Sequence, residues 1–316
     1  MAHSILTATH VSSHNCEFQM LVPACIDVEE TKRQIHYLLD KPYNNGSVSL
    51  DAEPEDIIIS HIQPGLCPQL TQQTRQGLYS WPSTPAERTA QQDCEGDRNI
   101  TASRNCLVSG ETNQAAWDSA ELQGCPTVVA NFSNLEQIKV TNETAEDVLH
   151  MVEDMLKEHH SLDEDDLLTV LNLIETVLNV TTVTPGLAEV IVNLMSDILV
   201  SNSDLQPFTN NILNITEKVG DRMSGFSEDS VSFVAPALAL SVVKVDTEHV
   251  HNLTFGVKSA QNCPFPEIYI NQEPFDGTVA FISLPVALLT SFAQNNLTLP
   301  RVQFQFYGVP ALFKSP

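Results

Sequence analysis

Ser161-Leu-Asp-Glu-Asp-Asp-Leu-Leu-Thr-Val-Leu-Asn-Leu-Ile-Glu-Thr-Val-Leu178 decides the central architecture of this chain. Leu167, Leu168, Leu171, Ile174, Val177 and Leu178 recur at the three-and-four spacing of a single helix face. Ser161 and Glu164 stand ahead of that face at capping-box spacing. The pattern extends in both directions. Upstream, Thr144-Ala-Glu-Asp147 has the same capping spacing and opens a segment with Val148, Leu149, Val152, Met155 and Leu156 on one side. Downstream, Thr184 precedes Pro185 as a cap residue before a proline at the first helical position. Leu187, Val190, Ile191, Leu194, Met195, Ile198 and Leu199 follow at helical spacing. A weaker fourth helix is predicted over Asp204–Met223. Successive amphipathic helices with short connections predict a helical bundle layer within 135–225.

After residue 228 the period changes from 3.6 to two. Val302, Phe304 and Phe306 alternate with Gln303, Gln305 and Tyr307. Ser230–Val245, Asn252–Lys258, Glu267–Asn271 and Thr278–Leu284 are further strand candidates, with Asp, Asn, Gly and Pro at the breaks. Helices followed by a run of strands give an α+β class with several domains. Residues 63–128 are different again. Gln, Thr, Ser, Pro and Gly dominate, both tryptophans lie there, and four of the seven cysteines fall between Cys67 and Cys125. A segment so poor in aliphatics needs covalent staples. Residues 1–62 carry short apolar runs at Ile35–Leu39 and Ile57–Ile62 around a turn-like Pro42-Tyr-Asn-Asn-Gly46, enough for one helix and one or two strands.

The charge balance excludes whole classes of partner. Against 40 Asp and Glu there are 15 Lys and Arg, a formal net charge of −25. Nucleic-acid binding releases counterions through cationic groups, and this chain is short of them. An anionic membrane surface is disfavoured for the same reason. The longest apolar stretches, Phe233–Val243 and Ile282–Leu289, are broken by proline and fall short of the ~18 residues of a membrane span. No basic region followed by an apolar core marks the N-terminus as a signal peptide.

Two features nevertheless point outside the cell. Asn-x-Ser/Thr sequons occur at Asn45, Asn99, Asn131, Asn142, Asn179, Asn214, Asn252 and Asn296. Chance predicts roughly three at this composition, and these are spread over the whole length. If glycosylated, each asparagine lies on the surface. The seven cysteines contain no C-x-x-C pair, which argues against a tetrathiolate zinc site. In an oxidising compartment the cluster reads as a disulfide framework whose four members allow three connectivities. Cys16 and Cys25 are close enough to bridge each other, and Cys263 is left over.

The sequence places no catalytic constellation. There is no G-x-S-x-G elbow, H-E-x-x-H, Walker loop or G-x-G-x-x-G. His159 and His160 diverge by about 100° on a helix, so a solvated helix end is favoured over a shared metal. His249 and His251 lack a third ligand. Counting from Asp163, the sixth and twelfth positions of an EF-hand loop would be Leu168 and Ile174 instead of Gly and Glu. The acids at 163–166 instead complement a helix N-terminus. No enzyme activity, metal or cofactor is expected.

The cysteine-rich segment carries a family resemblance. Cys67, Tyr79-Ser-Trp81-Pro82, Cys94, Ala102-Ser-Arg104-Asn-Cys106, Gly110, Trp117 and Cys125-Pro126 resemble, in order, the hormone-receptor (HormR) module. In adhesion G-protein-coupled receptors that module is followed by a GAIN domain, helical subdomain A and then β-sandwich subdomain B. The resemblance is greatest to the G group of these receptors. It implies 63–128 as the HormR-like module, 129–227 as subdomain A, 228–316 as an incomplete subdomain B, and 1–62 as a SEA-like remnant or linker. It also implies bridges Cys67–Cys106 and Cys94–Cys125, with Trp81, Pro82, Arg104, Gly110 and Trp117 as module-defining residues.

The resemblance implies an extracellular, non-enzymatic receptor region on the outer face of the plasma membrane. It would engage a protein or matrix ligand, with a seven-helix membrane domain and a G protein as partners in the full receptor. A complete GAIN domain ends in paired Cys and Trp residues and His-Leu before Ser or Thr. Here no His-Leu occurs, no Trp follows Trp117 and no Cys follows Cys263, so self-cleavage is not expected of this chain. The alternative reading is a soluble secreted or shed glycoprotein acting as decoy or binding module.

Overall fold

The computed structural model describes residues 27–44, 49–50, 57–159, 161–223, 228–245, 252–259, 266–294 and 301–313. The fold is α+β. In order, α1 is Val28–Leu39, capped by Asp27, whose carboxylate accepts from the Glu30 N–H at 2.9 Å. The two-residue strands β1 (Tyr43–Asn44) and β2 (Ser49–Leu50) pair antiparallel. Then come β3 (Leu66–Cys67), β4 (Leu70–Thr74), β5 (Gly77–Trp81), β6 (Thr84–Pro85), β7 (Arg88–Cys94), β8 (Asp97–Val108) and β9 (Ala115–Glu121). The helices α2 (Ala145–Glu158), α3 (Glu164–Val180), α4 (Pro185–Val200) and α5 (Thr209–Arg222) follow. The last part holds β10 (Ser230–Val234), β11 (Leu238–Lys244), β12 (Leu253–Ser259), β13 (Pro266–Ile270), β14 (Thr278–Leu284), α6 (Val286–Gln294) and β15 (Arg301–Tyr307).

The chain forms two compact units. The first holds the described residues up to Gln69 with Pro82–Gln91 and Ser103–Glu121. In it β3 pairs with β6, and β8 pairs with β9 through a bulge between Arg104 and Cys106. Its buried residues are few, among them Cys67, Ala90 and Cys106. With so little apolar area to bury, the Cys67–Cys106 bridge does much of the holding.

The second unit comprises Leu70–Trp81, Gln92–Ala102 and the described residues from Leu122 onward. Its helices α2 to α5 bury one face each around a common core. Leu149, Val152 and Met155 of α2, Leu171 and Ile174 of α3, Ile191 and Leu194 of α4, and Ile212 and Ile215 of α5 are all buried there. Leu238, Leu240 and Val242 of β11 join the same core.

The helix starts differ in detail from the sequence reading. Thr184 does cap α4, accepting from the Leu187 N–H at 3.2 Å, with Pro185 in the first turn. The α3 cap is Asp163, not Ser161. Its carboxylate accepts from the Asp166 N–H at 2.8 Å, and a carboxylate nearer the helix also meets the dipole. The box expected at Thr144 and Asp147 does not form. The Thr144 hydroxyl turns to Thr141 instead, 3.0 Å from its hydroxyl.

Two antiparallel three-stranded sheets follow, in the orders β10-β11-β15 and β13-β12-β14. The expected strand over Ser230–Val245 is a hairpin. It turns at Ala235-Pro-Ala237, where the Ala235 N–H donates to the Leu238 carbonyl at 2.9 Å. Helix α6 was not foreseen, since the apolar run Ile282–Leu289 shows no clear period; Pro285 divides it into a strand and a helix.

The alternation in β15 is present, but its polar set is not simply solvated. Phe304 stacks on Phe255 of the other sheet, ring centroids 4.8 Å apart. Gln303, Gln305 and Tyr307 face α5. The Gln303 amide donates to the Thr216 carbonyl at 2.8 Å, and the Thr216 hydroxyl meets Gln305 at 3.2 Å and the Tyr307 hydroxyl at 2.6 Å. Gly220 makes room for this approach, since a Cβ there would sit 1.9 Å from the Gln303 side chain.

Leu168 and Leu171 share an apolar face in the sequence, but Leu168 is 40% exposed and Leu171 1%. Leu171→Ala is expected to lower stability by about 2–5 kcal/mol through the cavity it leaves. Leu168→Ala should stay within about 1 kcal/mol. Urea melts of the two variants check this; equal losses would contradict the packing.

Candidate functional site

The residues singled out by sequence form two structural centres, one in each unit. In the first unit Cys67 is bonded to Cys106, with Cα atoms 5.9 Å apart. Around it the Ser83 hydroxyl donates to the Cys67 carbonyl at 3.1 Å, and the Glu87 N–H donates to the Cys106 carbonyl at 2.7 Å. Trp117 lies opposite Cys106 in the β8–β9 ladder, and its indole N–H donates to the Pro68 carbonyl at 2.8 Å. The Arg104 guanidinium lies 5.6 Å from the Trp117 ring, and its Nε donates to the Asp118 carbonyl at 2.6 Å. Pro82 and Gly110 are exposed. A Cβ on Gly110 would meet nothing within 4 Å, so nothing in the structure explains the glycine there.

In the second unit Cys94 is bonded to Cys125, Cα atoms 5.4 Å apart. Trp81 and Tyr79 are buried and stacked, centroids 5.6 Å apart and planes 11° from parallel. The Trp81 indole donates to Gln72 at 3.3 Å, and the Tyr79 hydroxyl to the Gln76 carbonyl at 3.2 Å. The outer edge of β5 is completed by side chains. The Gln92 amide accepts from the Ser80 N–H at 2.9 Å and donates to the Ser80 carbonyl at 2.8 Å. The Glu95 carboxylate accepts from the Leu78 N–H at 2.8 Å. Gly77 has φ +122°, and any Cβ there would strike that carboxylate.

The tip of the β4–β5 hairpin reaches the helical layer through Arg75, which the sequence reading missed. The Arg75 carbonyl accepts from the Val128 and Val129 N–H groups at 2.8 and 2.9 Å. Its guanidinium donates to both oxygens of Glu158 at 2.7 and 2.8 Å and to the Val129 carbonyl at 3.3 Å. At the other end of α2, Asp147 accepts from the Gln73 N–H at 3.1 Å. A two-residue turn with arginine at its tip was the available signal. A turn arginine is usually solvated, so its partner 83 residues away could not be read from the sequence.

The six described sequon asparagines, Asn99, Asn131, Asn142, Asn179, Asn214 and Asn252, are exposed. Asn131 caps the 3₁₀ turn Phe132–Gln137 through Oδ1, 3.3 Å from the Asn134 N–H. Asn252 Oδ1 accepts from the Val286 N–H at the start of α6, at 3.1 Å. Cys16, Cys25, Cys263, Asn45, Asn296, His160, His249 and His251 lie outside the described residues.

Among the described residues no three His, Cys, Asp or Glu side chains come together as a metal site. His159 stacks edge-on against Phe132 and its Nδ1 lies 2.9 Å from the Met155 carbonyl, a helix-end contact. A concavity of about 300 Å³ is lined by Leu213, Glu217, Asp221, Gln303 and Gln305 and holds no nucleophile–base pair. No helix among the described residues is long and apolar enough to cross a membrane.

On α4, burial and the neighbouring Glu153 push the Asp197 carboxyl above its ordinary range. A carboxyl raised in the folded state favours folding as pH falls toward its pKa, and that contribution is lost as pH rises through it. Asp197→Asn is therefore expected to raise the melting temperature at neutral pH and to leave it almost unchanged near about pH 4. Thermal melts at the two pH values decide, and a gain of the same size at both would contradict the assignment. The bridge in the second unit is expected to matter more. Cys94→Ser with Cys125→Ser should cost about 2–5 kcal/mol and open Leu70–Trp81 and Gln92–Ala102 to protease. Unchanged melting and unchanged digestion would remove its structural role.

No protein-family model matches the chain. Mouse adhesion G-protein coupled receptor G4 is 26% identical to it over 284 residues, 86% of this chain and 9% of that receptor. The zebrafish G6 receptor is 23% identical over 238 residues, 75% of this chain and 19% of the receptor. Mouse G2 is 29% identical over 153 residues, 48% of this chain and 15% of the receptor. The chain thus spans less than a fifth of each of these relatives. Among solved structures, the full extracellular region of zebrafish Gpr126/Adgrg6 matches with TM-score 0.53 and 22% identity, covering 78% of this chain and 32% of that one, a likeness of fold. Over most of its length this chain is a homologue of the adhesion G-protein-coupled receptors G4 and G6, and over about half of it, of G2.

Proposed function

We propose that the chain is part of the extracellular region of an adhesion G-protein-coupled receptor, where it engages a protein or matrix ligand and contributes to the control of signalling. The observation that carries this reading is the similarity to receptor G4 over 86% of the chain. In the proposal 63–128 is the HormR-like module, 129–227 and 228–316 are GAIN subdomains A and B, and 1–62 is the SEA-like part. The role is non-enzymatic. The exposed sequon asparagines carry N-glycans, and a seven-helix domain and a G protein complete the receptor.

Within each unit the described groups hold neighbouring elements together: the Cys67–Cys106 bridge in the first, and the Cys94–Cys125 bridge, a side-chain-completed strand edge and a hairpin clasped to α2 in the second. A rigid scaffold presents a binding surface at low entropic cost.

The protein sent through the secretory route behind a heterologous leader is expected to shift in gel mobility on peptide-N-glycosidase treatment. It should also bind adherent cells or matrix-coated wells saturably. An unchanged mobility overturns the extracellular assignment, and non-saturable binding overturns ligand engagement.

A further inference from the structure

A sequon is read at two positions, the asparagine amide and the hydroxyl two residues on. The six described asparagines are alike in being exposed, but their hydroxyls are not alike. Thr216, which completes the Asn214 sequon, is 1% exposed, Thr144 of the Asn142 sequon 2%, and Thr254 of the Asn252 sequon 5%. Each of these hydroxyls is occupied by the fold. Thr216 bonds within α5, to the Ile212 and Leu213 carbonyls, and across to Gln305 and Tyr307. Thr254 donates to the Gln272 carbonyl at 3.0 Å, and Thr144 is paired with Thr141. In contrast, Thr101 of the Asn99 sequon and Ser133 of the Asn131 sequon are exposed, the Ser133 hydroxyl donating only to Oδ1 of its own sequon asparagine at 2.7 Å.

We propose that Asn142, Asn214 and Asn252 accept a glycan only before the fold closes over their sequon threonines, whereas Asn99 and Asn131 accept one before or after folding. The inference rests on the glycoprotein reading above and adds an order of events to it. The reaction consumes a lipid-linked diphosphate oligosaccharide. The bond from asparagine Nδ2 to the sugar C1 forms as the bond from C1 to the diphosphate oxygen breaks, and one Nδ2 proton passes to a base on the transferase.

The three early sites differ in how soon they close. Thr144 is sequestered by a residue three positions away, and Thr254 by one 18 positions away. Thr216 is held by Gln305 and Tyr307, 89 and 91 positions downstream. During synthesis the Thr216 hydroxyl of the Asn214 sequon therefore stays clear of its β15 partners until that strand has been made, held before then only by the Ile212 and Leu213 carbonyls once α5 has formed. The asparagines of the open sites do not have to unfold anything. Asn99 gives up an exposed contact to Asp97, and Asn131 keeps its cap because the cap uses Oδ1 and the glycan uses Nδ2.

The test uses the full chain produced without glycans and folded with its bridges formed, beside short synthetic peptides spanning each sequon. Both are treated with a purified oligosaccharyltransferase and a lipid-linked oligosaccharide, and site occupancy is read by peptide mass spectrometry. In the folded chain, initial rates at Asn142, Asn214 and Asn252 are expected to be at least roughly tenfold below those of their peptides, because modification there waits on local opening. Rates at Asn99 and Asn131 should stay within about threefold of theirs, exposed groups needing no such opening. Peptide-like rates at Asn214 or Asn252 in the folded chain would overturn the proposal, as would a block at Asn99 and Asn131. If the peptides of Asn142, Asn214 and Asn252 accept no sugar, those sequons are not acceptors, and the glycoprotein reading fails at those positions before the order of events is reached.

Discussion

Every residue from Leu238 to Val243 is buried, and the second unit is organised around that strand. Leu238, Leu240 and Val242 enter the core shared with the four helices, and Val243 enters the core shared with the other sheet. A strand covered on both faces must be apolar throughout, which explains the uninterrupted Leu-Ala-Leu-Ser-Val-Val. Its one polar member, Ser241, is bonded to the Ser232 hydroxyl at 2.8 Å, so the buried hydroxyl costs little. A polar group placed on β11 without such a partner would weaken both cores together.

The cysteine-rich segment solves the opposite problem. It has few aliphatics, so its order comes from polar groups that replace missing strand neighbours. Gln92 presents an amide to the backbone of Ser80 with the donor and acceptor pair that another strand would supply. Glu95 does the same for the Leu78 N–H. The Arg75–Glu158 pair is half-exposed, and its Coulomb energy alone is worth little. Its value lies in geometry. Nη1 donates to both Glu158 oxygens while Nε donates to the Val129 carbonyl, which fixes the direction of the hairpin tip, and the Val128 and Val129 amides fix its position. An uncharged contact at that tip could bury as much area without setting the angle.

How far this was legible depended on the range of the interaction. The helices were readable because their apolar faces repeat within a few residues, and the β15 alternation was readable for the same reason. The turn at Pro236 was hidden because an all-apolar strand pair, buried on both sides, has no period to interrupt. The α3 cap was placed at Ser161 because Ser-x-x-Glu is a local signature, but Asp163 offers a charged acceptor to the same helix end. What could not be read was contact at long separation. Gln303 and Gln305 look solvated in an alternating strand, and it takes α5 with Gly220 beneath it to turn them into packing residues. Arg75, Gln92 and Glu95 belong to the same group, since their residue types do not disclose a partner.

Those long-range contacts also bear on the surface. A helix or turn that is capped by an asparagine would ordinarily compete with modification of that asparagine. At Asn131 and Asn252 the competition is absent, because the carbonyl oxygen of the side chain makes the cap while the nitrogen is the atom a glycan would take. An N-linked asparagine keeps its Oδ1 as an acceptor. The cap therefore requires only the side-chain oxygen, and replacement by aspartate keeps that acceptor but removes the attachment point. Any loss in Asn131→Asp would then measure the sugar, and the further loss in Asn131→Ala the cap. The two roles of one residue separate because they use different atoms.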